Sequence, residues 1–390
     1  MSEATGTVPA GSTELWRDRK RYLWLIGLVV PSLAFLAIGL HAATGWGGWF
    51  WIGPVVILVI VPVVDLVAGL DRSNPPDDVI ARLENDRYYR WITFAFLPVQ
   101  YLGFAAAFWL IARGELTAAD KIGLAVSIGC VGGIGINTAH ELGHKREAVE
   151  RWLSRIALAA TGYGHFYVEH NRGHHMRVAT REDPASARLG ESFWAFWPRT
   201  VVGGLRSAWR LESRRLRLRR HSPWSWRNDI LGAWAMSLAL AAGLVAAFGV
   251  TVVPFLVLQA VVGFSLLEVV NYLEHYGLCR QRNQDGRYEK VGPRHSWNSD
   301  RVVTNVFLFQ LQRYSDHHGN PLLRYQTLRS LDESPQLPAG YATMIVLALV
   351  PPLWRRVMDK RVAAHYGGDL SLANVQHRAA ASESSARGPR

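Results

Sequence analysis

The chain has 390 residues, of which 43 are Lys or Arg and 31 are Asp or Glu, giving a formal net charge of +12 at pH 7. Hydrophobic residues make up 49% of the sequence and charged residues only 19%, against about 25% charged residues in average soluble domains. This composition argues against a disordered chain and against a nucleic-acid-binding domain. Two cysteines exclude a disulfide framework, a four-thiolate zinc site and an all-thiolate iron–sulfur cluster.

The hydrophobic residues occur in six blocks, separated by Arg-rich stretches. A helix of about 20 apolar residues crosses the roughly 30 Å of hydrocarbon in a bilayer. The first block is too long for a secretory signal, and a second block follows it at once. The sequence therefore predicts an all-α membrane protein with six transmembrane helices and a histidine-rich cytoplasmic cap. The predicted spans are residues 22–41, 49–70, 91–112, 122–139, 230–248 and 252–270.

The distribution of Lys and Arg predicts the orientation of these spans. The turns after spans one and five contain neither residue type, whereas the segment between spans four and five contains 17. The positive-inside rule then places the N-terminus, both long loops and the C-terminal third in the cytoplasm. The expected organisation is an N-terminal segment 1–21, a membrane domain 22–275 that includes a cytoplasmic loop 140–228, a cap 276–366 and a flexible tail 367–390.

Two further apolar segments, 156–168 and 341–354, have about 14 residues each. They are too short to span a bilayer, and we expect packed or interfacial helices there. The Arg-rich run at 214–220 is expected to face anionic lipid headgroups. Docking of an acidic protein on the same run is a second interpretation, compatible with the first.

Nine of the 14 histidines lie in or beside four short motifs. Residues four apart on a helix differ by about 40° in direction, so a pair with that spacing faces one point. This spacing occurs in the first motif and again in the second. The motifs are HELGHK at 140–145, EHNRGHH at 169–175, NYLEHYGL at 271–278 and LQRYSDHH at 311–318, with His165 close by.

Each motif alone is weak evidence, because an isolated HxxxH pair at a helix end is more often structural. The first motif also fits the HExxH pattern of zinc proteases. Four motifs on one side of a six-span bundle favour a shared metal centre, and eight imidazoles exceed what one metal takes, which predicts two metals. Imidazole suits Fe, Zn and Cu. The candidate ligands are His140, His144, His170, His174, His175, His275, His317 and His318.

Four carboxylates lie beside these histidines: Glu141, Glu169, Glu274 and Asp316. An offset of one residue turns a helical side chain by about 100°, so they are poorly placed to bind the same metal. We expect them instead to accept the second ring N–H of a neighbouring histidine. The alternative is ordinary salt bridges, with Lys145, Arg172 and Arg313 as the available partners.

The four motifs, in this order and around six spans, resemble those of the integral-membrane alkane hydroxylase (alkane 1-monooxygenase) family. The HYG sequence in the third motif separates this family from membrane desaturases. Other matching segments are NPPDD at 74–78, GYGHF at 162–166, RYE at 287–289, HSWNS at 295–299 and QLPAGY at 336–341.

The resemblance implies a centre of two non-haem irons held by the eight histidines, with O2 as co-substrate. It also implies rubredoxin as electron donor, itself reduced by an NAD(P)H-dependent reductase. The implied reaction is hydroxylation of the terminal carbon of a medium- or long-chain alkane that arrives from the lipid phase.

One position departs from the family pattern, since Tyr314 stands where the last motif normally has a ninth histidine. Tyr314 could bind ferric iron as a phenolate. Alternatively, the position is left open to water or to another group, with His295 or His165 as nearby candidates. In the third interpretation one iron binds weakly and activity suffers.

An alkane offers no dipole and no acidic proton, so acid–base groups and nucleophiles have nothing to act on. The metals must supply the chemistry, while the protein positions the substrate and excludes water. A bulky residue facing inwards on span two would limit substrate length, and Ile57 is our candidate. The sequence has no Cys-x-x-Cys pair, flavin fingerprint or dinucleotide-binding loop. Electrons must then come from a separate protein, and a basic face suits a small acidic donor.

Three other functions are compatible with parts of this pattern. A related membrane oxygenase could act on methyl-aromatic, fatty acyl or terpene substrates. A membrane protein with a structural or hydrolytic zinc site is a different class, which metal analysis would distinguish. Transport is the weakest alternative, because transporters place polar ligands near the bilayer midplane rather than at one end.

Overall fold

The computed structural model describes residues 16–376. In this range the chain folds into helices, and its only β-structure is four isolated bridges. Six helices are long and apolar enough to cross a membrane, which confirms the predicted spans to within a few residues at most ends. In order, spans one to six are Leu23–Thr44, Gly47–Ala68, Arg87–Ala112, Ala118–Gly143, Asp229–Phe248 and Val250–His275.

Short turns join successive spans at one end of the bundle, and all four histidine motifs lie at the other. Span one ends at Gly45, whose positive φ of 71° is a left-handed conformation that glycine adopts without strain. Span five also ends at a glycine with a positive φ, Gly249, at 84°. The long segments that carry the histidines lie at the opposite end of the bundle from these two tight turns.

Span four is the central helix of the bundle. Of its most apolar 18-residue stretch, 89% is buried, against 17% for span five. Glycines allow span four to pack closely against span six: a Cβ atom on Gly129 would lie 2.7 Å from the carbonyl oxygen of Gln259, and one on Gly133 would lie 2.9 Å from that of Gly263. Small residues of this kind let helix backbones approach in membranes.

Span two is joined to the C-terminal part of the chain by a buried carboxylate. Asp65 is 1% exposed and accepts hydrogen bonds from the backbone N–H of Thr304, at 3.0 Å, and from its hydroxyl group. Arg301 also donates to the carbonyl oxygen of Asp65, at 3.1 Å. These bonds place the short helix Val302–Phe307 against span two.

The two short apolar segments differ from the prediction. Residues 156–168 are the end of the helix Ala148–Ala159, a turn and the start of a second helix at Phe166, because Gly162 adopts a positive φ of 68°. Residues 341–354 also belong to two helices, Tyr341–Ala348 and Pro351–His365. Proline has no N–H group and fits best at the start of a helix. Both segments are packed, but the prediction of one helix each was wrong.

The cap and the membrane domain share a hydrophobic core. Tyr272, near the end of span six, and Tyr276, the residue that follows the span, pack with Trp297, Tyr341 and Trp354 of the cap. All five of these side chains are at most 2% exposed. The cap is therefore fixed to the end of the spans that carries the histidines.

The predicted flexible tail begins too early. Residues 367–376 pack against the protein: Ala373 is fully buried, and the backbone N–H of Leu189 donates to the carbonyl oxygen of Asn374 at 2.6 Å. The N–H of Asn374 in turn donates to the carbonyl oxygen of Gly277 at 3.1 Å. The rest of the predicted tail, 377–390, and residues 1–15 of the N-terminal segment lie outside the described residues.

Candidate metal centre

The eight predicted histidines come together at one end of the bundle and form two adjacent groups. Within each group the candidate ligand atoms lie within 4.8 Å of one another. We call these the five-histidine group and the three-histidine group. The first consists of His140, His144, His170, His175 and His317, and the second of His174, His275 and His318.

Local helix geometry decides which histidine joins which group. His140 and His144 are four residues apart at the end of span four and share the five-histidine group, as predicted. The second motif behaves differently, because His170–His174 is a π-helical turn, a wider turn with i→i+5 hydrogen bonds. His170 therefore shares a group with His175, five residues on. The predicted pairing of His170 with His174 at one point was wrong.

In the last motif, two adjacent histidines belong to different groups. His317 and His318 lie on the short helix Tyr314–Gly319, where neighbouring side chains point about 100° apart. One therefore enters each group. His275 is the last residue of span six, so the spans, the π-helical turn and this short helix all contribute to the centre.

The ring nitrogens that face inwards have the features expected of metal ligands. In the five-histidine group, the Nε2 atom of His170 lies 3.1 Å from the Nε2 atoms of both His144 and His175. The buried Nε2 atoms of the remaining two residues, His140 and His317, have no hydrogen-bond partner. The same is true of all three Nε2 atoms in the three-histidine group. Unpartnered buried polar atoms are costly, so these residues fit a metal site.

The opposite nitrogen of each imidazole in the three-histidine group is held from outside. His174 Nδ1 lies 2.9 Å from Asp183 Oδ2, and His318 Nδ1 lies 3.1 Å from Ser296 Oγ. His275 Nδ1 lies 3.1 Å from the carbonyl oxygen of His295. Contacts of this type fix the tautomer and the ring orientation of a ligand. They direct all three Nε2 atoms towards a common point.

Among residues 16–376, Asp183 is the one carboxylate that contacts a ring nitrogen of the centre. It is 1% exposed, and its Oδ2 atom also accepts a hydrogen bond from Ser186 Oγ, at 2.7 Å. No sequence pattern predicts this contact, because Asp183 lies in an irregular loop outside the four motifs.

Burial keeps five of these imidazoles neutral, because charged groups are poorly solvated in the protein interior. It lowers the pKa well below its usual value for five of the histidines that lie outside the spans, and nearby histidines lower it further. Neutral imidazole is the form that binds metals. The five residues are His144, His170, His175, His317 and His318.

The predicted role of two carboxylates needs correction. Glu141 forms an ion pair with Lys145, at 3.0 Å, and accepts from the backbone N–H of Tyr325. Asp316 binds Arg329 at 3.0 Å. These contacts correspond to the salt-bridge alternative. They join the first motif to the cap and hold the last motif in place within the cap, and neither carboxylate contacts an imidazole.

The other two carboxylates also have no contact with a ring nitrogen of the centre. Glu169 binds Arg177 at 2.7 Å, and burial raises its pKa to about 7. Glu274 is 1% exposed, and its Oε1 atom has no hydrogen-bond partner. The remaining salt-bridge candidates bind elsewhere: Arg172 binds Glu212 and Asp229, whereas Arg313 donates to backbone carbonyl groups.

Tyr314 lies beside the three-histidine group. It is 2% exposed, and its ring centroid is 4.1 Å from that of His318 and 5.6 Å from that of His275. Burial and the neighbouring carboxyl group of Glu274 hold the pKa of Tyr314 well above its usual value. The phenol is therefore protonated at neutral pH.

Neither of the predicted replacement histidines joins the centre. His295 accepts a hydrogen bond from the backbone N–H of Gly292 at Nδ1, and its Nε2 atom lies 3.2 Å from Glu289 Oε1. His165 packs its ring against that of Tyr163, with 4.3 Å between centroids. Among residues 16–376, the metal-binding groups contain no histidine besides the eight that the motifs supply.

An apolar cavity ends at the histidines and extends between spans two, four and six. His140, His170, Glu274 and Tyr314 line its polar end. Ile57, the residue predicted to limit substrate length, lines it from the π-helical turn Val56–Ile60 of span two and is 7% exposed. The apolar part of the lining includes Val61, Ile134, Leu266, Val270, Phe307 and Ile345.

The chain is similar to known proteins over most of its length. A family model described as fatty acid desaturase matches residues 121–348. The chain is 48% identical over 364 residues to the alkane 1-monooxygenase of Acinetobacter baylyi, covering 92% of this chain and 88% of that protein. It is 41% identical over 379 residues to alkane 1-monooxygenase 1 of Alcanivorax borkumensis, covering 96% and 94%.

A more distant relative is the xylene/toluene monooxygenase hydroxylase component XylM of Pseudomonas putida. It is 24% identical over 329 residues, covering 83% of this chain and 85% of that protein. The much higher identities to the alkane enzymes confirm the resemblance seen in the four motifs. The chain therefore belongs to the fatty acid desaturase family and, within it, to the alkane 1-monooxygenases.

Proposed function

We propose that this protein is a di-iron monooxygenase that hydroxylates the terminal carbon of medium- or long-chain alkanes. The overall reaction consumes R–CH3, O2, two electrons and two protons, and yields R–CH2OH and H2O. The observation that carries the proposal is the cluster of eight histidines, two of which, His140 and His170, line an apolar cavity. The family membership and the names of the relatives support the same reaction.

The eight histidines would hold two iron ions, one in each group. When bound, the irons supply the oxygen activation that an unactivated C–H bond requires. The residues of this chain hold and orient the ligands: Asp183 and Ser296 fix two imidazoles from outside. The apolar walls of the cavity exclude water from the reacting end.

The cavity would bind the alkane along its length, with the terminal carbon towards His140 and His170. Burial of each methylene group contributes about 0.8 kcal/mol, so binding energy increases with chain length until the cavity is full. Three spans contribute to the lining, together with residues outside them such as Phe307 and Ile345, and the substrate dissolves in lipid. Both facts support entry from the bilayer.

Rubredoxin is the proposed electron donor. An electron donor of this kind would approach the end of the bundle that carries the histidines, and a basic surface lies there. On the helix Phe193–Leu218, Arg206, Arg210 and Arg214 are exposed at four-residue spacing and line one groove with Arg177. We call these three residues the arginine face. Within residues 16–376 no carboxylate pairs with them: Glu182, which lines the same groove, binds Arg282, and the neighbouring Glu212 binds Arg172 and Arg215.

The proposed location is a bacterial inner membrane, with the histidine end and both termini in the cytoplasm. The positive-inside rule supports this orientation, because the arginine-rich segments lie at the histidine end and the turns at the opposite end carry few charges.

Product analysis tests the proposal. Purified protein would be supplied with rubredoxin, its reductase, NADH and alkanes of several lengths, and the products would be identified by mass spectrometry. We expect 1-alkanols, with one oxygen atom from 18O2 in each, and two irons per chain. His144→Ala is the control that should abolish product. Active protein that contains zinc and no iron would refute the proposal.

A second candidate substrate class is the methyl-aromatic hydrocarbons, favoured by the match to the xylene/toluene enzyme. The same assay with xylene as the substrate measures hydroxylation of this class. Because identity to the alkane enzymes is about twice as high, we expect the rate per enzyme with an alkane to exceed the rate with xylene. The opposite ranking would select the second candidate.

A further inference from the structure

We infer that the two metal positions of this chain are unequal, and that the three-histidine group is an incomplete, exchangeable metal site. The inference rests on the proposed function, because it concerns the metals that the eight histidines would hold. It predicts that the chain passes through a stable form with one metal, bound by the five-histidine group.

The first observation is the number of ligand atoms. Five imidazole nitrogens converge in one group and three in the other. Both groups are buried, and all three imidazoles of the smaller group are already held in position from outside. The difference therefore lies in the number of nitrogen–metal bonds that each group can form.

The second observation is that two nearby residues that could supply a fourth ligand, Asp183 and His295, are engaged elsewhere. A third, Glu274, does not belong to the group, although its Oε1 atom has no hydrogen-bond partner among the described residues. Asp183 Oδ2 binds His174 Nδ1 and Ser186 Oγ. His295 binds Glu289 with its side chain and contributes only its backbone carbonyl, which accepts from His275. In the part of the chain that the structure describes, no further histidine, cysteine or carboxylate belongs to this group.

The third observation is the side chain that lies beside the three nitrogens. Tyr314 lies four residues before His318 on the same short helix, and its ring lies against those of both His318 and His275. The ring fills the space beside the three nitrogens, and the phenol lines the apolar cavity together with Glu274. An imidazole at this position would start from the same backbone, in contact with the same two histidines.

Graded chelation tests the inference. Full-length protein in detergent would be loaded anaerobically with Fe(II) and equilibrated with increasing chelator, and the retained iron would be measured by elemental analysis. We expect two separate steps of one iron each. His174→Ala should remove only the step at low chelator concentration, and His144→Ala only the step at high concentration.

Substitution of Tyr314 provides the decisive comparison. Tyr314→His should move the first step to a chelator concentration at least about tenfold higher, since a direct ligand should contribute no less than an outer-sphere contact, whose loss costs 10–100-fold in affinity. Tyr314→Phe should leave the first step where it is, because the phenol oxygen is not a ligand in this inference. Circular dichroism would verify that both variants are folded.

Two results would overturn the inference while leaving the proposed function intact. Loss of both irons in a single step would show that the positions are equivalent. Loss of the first iron from Tyr314→Phe at a lower chelator concentration, together with loss of a visible phenolate-to-iron absorption band, would show that Tyr314 completes the site. Failure of the wild-type protein to bind iron at saturating concentration would instead refute the proposed function.

Discussion

The imidazole rings of the three-histidine group are each held by a different acceptor: a carboxylate, a hydroxyl group and a backbone carbonyl group. Only the carboxylate of Asp183 adds a full negative charge to the hydrogen bond, which makes the bond stronger and the ligand more basic. Asp183 is therefore a positioning residue for His174, and its contribution can be measured separately from the ligands themselves.

We expect Asp183→Asn to lower the affinity of the three-histidine group for iron by about tenfold and Asp183→Ala by up to about 100-fold. The amide of asparagine keeps an acceptor for His174 but loses the charge, whereas alanine removes both. Competition with a chelator measures the affinity. Asp77→Asn is the matched control, since the side chain of Asp77 is 93% exposed. Equal retention of iron in all variants would contradict the role of Asp183.

Ile57 can be tested against a neighbour on the same helix. We expect Ile57→Trp to shorten the longest alkane that is hydroxylated, because the larger side chain would fill part of the cavity that Ile57 lines. Val59→Trp is the control, since Val59 is 55% exposed on the outside of the same span. Product chain lengths from an alkane mixture provide the measurement. An unchanged profile in Ile57→Trp would reject the placement.

At the scale of helices, the contact between spans four and six positions the first and third motifs relative to each other. Each of these spans ends at a histidine motif, with His140 on span four and His275 on span six. The glycines of span four allow the two backbones to approach, so the distance between the helix axes determines where the imidazoles meet.

We expect Gly129→Ala to destabilise the protein by about 1–3 kcal/mol, a typical cost of overpacking. The added methyl group would lie 2.7 Å from the carbonyl oxygen of Gln259, so one of the helices must move. Gly243→Ala is the control, because a Cβ atom on Gly243 in span five meets nothing within 4 Å. Alanine favours helix more than glycine does, and this variant should be at least as stable as the wild type.

Thermal unfolding in detergent, followed by circular dichroism, distinguishes the two glycine variants. Similar midpoints for Gly129→Ala and Gly243→Ala would show that the close approach of spans four and six does not contribute to stability. A lower midpoint in Gly129→Ala alone, together with loss of bound iron, would link the helix contact to the geometry of the metal centre.

On the scale of the whole molecule, positive charge is distributed unevenly between the two ends of the bundle. The end with the histidines carries the arginine face, whereas the turn after span three has only the pair Arg113 and Glu115, 3.7 Å apart. Attraction between unpaired surface charges is screened by salt, with a Debye length of about 10 Å at 0.1 M. An acidic electron donor would consequently be directed to one end of the protein.

We expect kcat/KM for rubredoxin to fall as ionic strength rises, with little change in kcat at saturating donor. The triple variant Arg206→Gln, Arg210→Gln and Arg214→Gln should show a lower kcat/KM at low salt and a weaker salt dependence. Arg113→Gln, at the opposite end of the bundle, is the control. Turnover that does not respond to salt or to the triple variant would contradict charge-guided docking.

Much of the architecture could be predicted from the sequence, because the relevant signals are local. The length of an apolar block determines whether its helix can cross a bilayer, and six blocks became six spans. The spacing of His140 and His144 on a regular helix placed both in one group. The motifs were also sufficient to identify the family, since each combines residue type, order and position relative to a span.

The tertiary structure alone decided how the ligands are divided and supported. In the π-helical turn His175, rather than His174, joins the group of His170, and a loop outside the motifs brings Asp183 to His174. The position of Tyr314 beside the smaller group depends on contacts between segments that are distant in sequence. Hydrophobic length and helical period are encoded within about 20 residues, whereas the meeting point of eight side chains depends on the packing of the whole bundle.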